Sequence, residues 1–90
     1  MSLTHAIAEQ RVNLAVSLEC APAEFRTEIL KTAVVAFGGT FVPAATGGRH
    51  GSHLAEVNLL GISHMGNSTE ECTANWIKAV FRTAQDEVAA

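Results

Sequence analysis

Between Val12 and Glu19 apolar and polar residues alternate: Val12, Leu14, Val16 and Leu18 fall on one side, Asn13, Ala15, Ser17 and Glu19 on the other. A period of two predicts a half-buried strand. A helix over Ser2–Cys20 is the competing reading, since Ala and Leu favour it, but it sets Val12 and Val16 off the Leu3/Ile7/Leu14/Leu18 stripe. Pro22 suits a first helical turn, where its missing N–H costs nothing. From there Phe25, Ile29, Ala33 and Ala36 recur at helical spacing, with Glu24, Thr27, Glu28 and Lys31 opposite, and Gly38-Gly39 supplies a left-handed stop. Thr40-Phe41-Val42 reads as a short strand ended by Pro43, and Ala44–Ser52 as a glycine-rich loop. His53–His64 is nearly continuous in apolar character and predicts one central strand, with Gly61 marking a bulge or a close backbone approach. Ser68 and Glu71 form a capping box, and a helix to about Glu87 follows.

The resulting order, β-α-β-β-α, predicts a single α+β domain over residues 1–90. Its architecture would be a two-layer sandwich, a three-stranded sheet with two helices on one face. The crossover rule allows the second hairpin strand to lie in the middle, as in a ferredoxin-like fold lacking its last strand. The last helix carries more apolar surface than such a sheet can cover. Cys72, Trp76, Ala79 and Val80 make one stripe. Ile77, Phe81, Ala84 and Val88 make a second, rotated by roughly 125°. Lys78, Arg82, Gln85 and Asp86 share the remaining arc. Either the neighbouring helix and Leu3–Ala8 cover the spare stripe, or it is an interface with Trp76 or Phe81 as its anchor. The interface reading makes Trp76, Val80 and Phe81 the partner contacts, joined by Arg49 and His50 of the loop.

Composition narrows the class. A chain of 90 residues with 48% apolar and 17% charged positions is that of a small folded domain. Six Lys/Arg against nine Asp/Glu argue against a surface built for nucleic-acid phosphates. The longest apolar run, Ala33–Phe37, is too short for a membrane span, and Met1–Val12 lacks the apolar core of a secretory signal. Cys20 and Cys72 therefore read as reduced cytoplasmic thiols, both packed as small hydrophobes. His50 and His53, three apart, offer two ligands to zinc or nickel if His64 or a cysteine approaches. No carboxylate sits between them, so a solvated turn is expected, with no metal and no cofactor. Arg49 and the loop amides offer a weak anion site. Paired titratable groups for acid–base chemistry are limited to His53 with Glu56 and His64 near Glu70, so a non-enzymatic protein is expected.

The segment Gly61-Ile62-Ser63-His64-Met65-Gly66-Asn67-Ser68-Thr69-Glu70-Glu71-Cys72-Thr73-Ala74-Asn75 resembles the strand–turn–helix signature of HicB-like antitoxins. That signature runs Gly-Cys, three residues, Gly-Asp-Thr, one residue, Glu-Glu-Ala, then Asn two residues on, and its spacing continues to Ala79. The resemblance covers about a fifth of the chain. It implies neutralisation of a small RNA-cleaving toxin. The expected topology departs from the family in having a helix between the first two strands and in carrying no recognisable DNA-binding segment within these 90 residues. The helix start is also similar to the closing helix of double-stranded RNA-binding domains, but Thr69 and Glu70 replace the lysines and would repel phosphate. By size and charge the chain looks like phage-encoded anti-CRISPR proteins, which block a host complex by contact. The expected function is thus inhibition through a protein partner, with a homodimer or an antitoxin as the alternatives.

Overall fold

The N-terminal alternation folds as a helix. In this computed structural model, which describes residues 3–45 and 54–89, α1 runs unbroken over Leu3–Cys20. The strand expected over Val12–Glu19 is thereby corrected. The segment is rich in Ala and Leu and has no Gly or Pro, so nothing interrupts helix propagation. Ala15 and Leu18, three apart, are fully buried, with Val12 and Leu14 beside them, while Val16 takes the exposed position that a strand would have denied it. The helix stops before Pro22. The Arg26 guanidinium donates to the Ala21 and Glu19 carbonyls at 3.1 Å each, placing a cation where the helix dipole is negative.

The next helix, α2 (Ala23–Phe37), ends as its glycines predict. Gly38 adopts φ 71° and the Gly39 N–H donates to the Val34 carbonyl at 2.9 Å. Three strands follow: β1 (Thr40–Val42), β2 (Ala55–Leu59) and β3 (Ile62–Gly66), antiparallel and in the spatial order β1-β2-β3. The single strand expected over His53–His64 is in fact a hairpin. Leu60 (φ 53°) and Gly61 (φ 80°) are both left-handed, the signature of a two-residue turn matched to strand twist. Leu60 holds this conformation against its side-chain preference, and Arg11 secures it by donating from Nε to the Leu60 carbonyl at 2.7 Å.

The last helix, α3 (Thr69–Ala89), starts at the predicted cap: Ser68 Oγ accepts the Glu71 N–H at 3.1 Å. The Glu71 carboxylate accepts instead from Asn67 Nδ2 at 3.5 Å. The element order is thus α-α-β-β-β-α with three helices, replacing the expected β-α-β-β-α with two. The α+β class and the count of three strands stand, because the strand lost at the N-terminus is offset by the strand gained in the hairpin.

Packing explains the doubled stripe of α3. The helix lies on β2 and β3, and α1 and α2 pack against it. Ala55, Val57 and Leu59 point inward from β2 to meet Cys72, Trp76 and Val80. Ile77 is buried with them and Phe81 is packed against the cluster. Trp76 anchors the arrangement by donating from Nε1 to the Leu59 carbonyl at 3.3 Å and the Ile62 carbonyl at 3.2 Å, across the mouth of the turn.

Candidate functional site

Burial moves the expected partner contacts off the surface. Trp76 is 0% and Val80 1% exposed, so both are core side chains of the folded chain and offer nothing to a partner. Phe81 is half-buried against the same core. Arg49 and His50, with the His50/His53 metal pair, lie outside the described residues. Among the described residues no group of three or more His, Cys, Asp or Glu side chains is placed to hold a metal.

The cysteines differ from each other. Cys72 is buried as expected, whereas Cys20 is exposed at the end of α1. Burial pushes the Cys72 thiol above its ordinary 9.0, and the negative charge of Glu56 adds to the effect. Its S–H donates to the His64 carbonyl at 3.5 Å, a contact that requires the protonated form.

The surface with most binding chemistry is the free edge of β3. In the hairpin Leu59 pairs with Ile62, Val57 with His64 and Ala55 with Gly66. The pair that closes a two-residue turn exchanges both ladder hydrogen bonds, and the pattern then repeats every second residue. Ile62, His64 and Gly66 thus bond inward to β2, while the main-chain groups of Ser63 and Met65 point away from the sheet. The Met65 carbonyl is already occupied, accepting from Asn75 Nδ2 at 2.8 Å. Among the described residues the Ser63 N–H and C=O and the Met65 N–H have no hydrogen-bond partner.

Two depressions flank this edge. On the open face of the sheet, a hollow of about 350 Å³ is lined by Val42, Glu56, Asn58, Ser63 and Met65. On the helix side, a groove of about 370 Å³ runs between β3 and α3, lined by Ile62, His64, Lys78, Arg82 and Asp86 among others. The helix runs back along the strand, so Asn75 stands beside Met65 and the following turns bring Lys78 and Arg82 into the groove.

Of the described cations, those not engaged elsewhere collect at the groove. Among the described residues Arg11 pairs with Glu87 at 3.6 Å, Lys31 with Glu28 at 4.0 Å, and Arg26 serves the end of α1. Lys78 and Arg82 have no such internal task, and both are exposed. His64, on the β3 side of the same groove, is exposed as well. Sequence reasoning set Lys78 and Arg82 in the polar arc of the helix without assigning them a role. Their i,i+4 spacing was visible; what was missing was the strand edge beside them, which exists only once Leu60-Gly61 is recognised as a turn.

Comparison of the chain with protein-family models, with curated proteins and with solved structures finds no match. No helix among the described residues is long and apolar enough to cross a membrane.

Proposed function

We propose that this chain is a non-enzymatic binding protein that acts by covering a surface of a larger protein assembly, using the β3 edge and the β3–α3 groove. The observation that carries the reading is the coincidence, among the described residues, of three unpaired main-chain groups with two uncommitted cations on one side of the molecule. Free strand edges are surfaces to which another chain adds. The remaining described cations are paired with groups of the fold; these two face outward beside that edge. The segment resembling HicB-like antitoxins is β3 with α3, the same two elements. This favours, as a second reading, a toxin as the protein covered.

The test is differential capture. Tagged protein is used to retain partners from the source cells, in parallel with a K78E/R82E variant and with Val35→Glu. Val35 is 84% exposed on α2, which does not touch β3. The proposal expects partners retained by the parent and by Val35→Glu and lost with K78E/R82E. Partners indifferent to K78E/R82E, or an absence of partners with all three proteins, would overturn it.

A further inference from the structure

We infer that the occupant of this site is an extended peptide segment that adds to β3 as a fourth strand and presents two carboxylates, at alternate positions, to Lys78 and Arg82. The inference rests on the protein-binding reading above and names the chemistry of the partner.

The geometry of the two elements supports it. Successive side chains of an added strand point to opposite sides, so every second one faces the groove and the others face the sheet's open hollow. Residues two apart on a strand are separated by about 6.7 Å. Lys78 and Arg82, four apart on α3, are separated by about 6 Å along the helix axis. Trp76 bonds the Ile62 carbonyl, so Lys78 and Arg82 stand at the turn end of β3. Their long side chains, inclined toward the helix N-terminus, share the groove with Ile62 and His64. Carboxylates at two groove-facing positions have the spacing to meet one cation each. The main chain supplies the rest: a strand residue opposite Ser63 exchanges two hydrogen bonds with it, and the Met65 N–H donates a third. Asn75, holding the Met65 carbonyl, stops the ladder at that end.

The charge pattern also sets a limit. Asp86 follows Arg82 by another four residues and lines the same groove, and Glu56 lines the hollow on the other side of the strand. A long polyanion laid along this edge would run from two cations onto a carboxylate. A net charge of −3 opposes it further. The surface thus suits a pair of acids on a protein strand and disfavours a nucleic-acid backbone, whose phosphates repeat without interruption.

The probe is the peptide acetyl-Thr-Glu-Thr-Glu-Thr-amide, titrated into the intact chain while the backbone amides are followed by NMR. The expected result is saturable shifts centred on Ser63, Met65, Lys78 and Arg82. Three changes should each weaken binding, by up to about fivefold for each charge pair lost and about tenfold or more for the ladder bonds. The first replaces both Glu by Gln. The second is the isomer Thr-Glu-Glu-Thr-Thr, which puts the acids on opposite sides. The third N-methylates the amides that face β3. Charge reversal by K78E/R82E should abolish the response to the parent peptide. Equal binding of the isomer, shifts elsewhere on the surface, or tighter groove binding by a single-stranded oligonucleotide would each overturn the inference. If the peptide does not bind but partner capture still depends on Lys78 and Arg82, the strand inference fails and the protein-binding reading stands. If capture is also indifferent to those residues, both fail.

Discussion

Replacing Trp76 by Phe tests the packing on which every other feature depends. The indole is fully buried, and its N–H is shared between the Leu59 and Ile62 carbonyls at 3.3 and 3.2 Å. Those carbonyls retain their ladder partners, so the variant loses one donor without stranding an acceptor, a cost of about 1 kcal/mol. Shrinking the ring removes further apolar contact worth about 1–2 kcal/mol at the transfer rate for buried carbon, before any cavity penalty. The expected total is about 2–3 kcal/mol, and truncation to Ala should cost about 3–5. In a domain of this size each kcal/mol lowers Tm by roughly 4–8 °C. Urea unfolding followed by circular dichroism reads the loss directly and does not need the tryptophan fluorescence that the substitution removes. Phe25→Ala, at a position 55% exposed, serves as control and should stay within about 0.5 kcal/mol of the parent. A Trp76→Phe variant as stable as this control would refute the placement of Trp76 across the hairpin.

Other substitutions probe the local devices. Gly61→Ala imposes a side chain at φ 80° and brings its Cβ to 3.0 Å from the Arg11 guanidinium, so thermal unfolding should show a loss of about 1–2 kcal/mol. Ser68→Ala removes the acceptor of the Glu71 N–H and should cost about 1 kcal/mol in the same assay. At neutral pH, iodoacetamide with mass detection should label Cys20 quickly and Cys72 only on unfolding, since burial keeps the Cys72 thiol protonated and covered. With its folded value raised, that thiol contributes stability that is whole below the ordinary 9.0 and is lost as pH rises through the folded value, because the unfolded chain gives up the proton first. Stability measured from pH 8 upward should therefore fall more steeply for the parent than for Cys72→Ala; parallel curves would contradict the assignment.

The elements legible in the sequence were those marked by local chemistry. Gly38-Gly39 announced the end of α2 and Ser68 with Glu71 the start of α3, and both caps are formed, the second from one side only. The misread elements were those where two periods fit the same residues. Leu14 and Leu18 lie on one face of a helix as well as on one side of a strand, and only the packing of Ala15 and Leu18 against α3 decides between them. At Leu60-Gly61 the glycine was seen, but Leu60 hid the turn, because a leucine with positive φ is a conformation that propensity argues against. The same ambiguity hid the proposed binding site. Large aromatic residues on a crowded helix suggested an interface, yet a helix that meets a sheet on one side and α1 and α2 elsewhere buries Cys72, Trp76, Ile77 and Val80 internally. The value of the β3 edge lies in main-chain groups that carry no sequence signature.

Amide hydrogen exchange along β3, read residue by residue in the free protein, tests the central claim most directly. An open edge predicts alternation: slow exchange at Ile62, His64 and Gly66, whose N–H groups bond to β2, and fast exchange at Ser63 and Met65, whose N–H groups face solvent. Uniform protection across all these residues would mean that the edge is already covered, and the proposed docking surface would not exist.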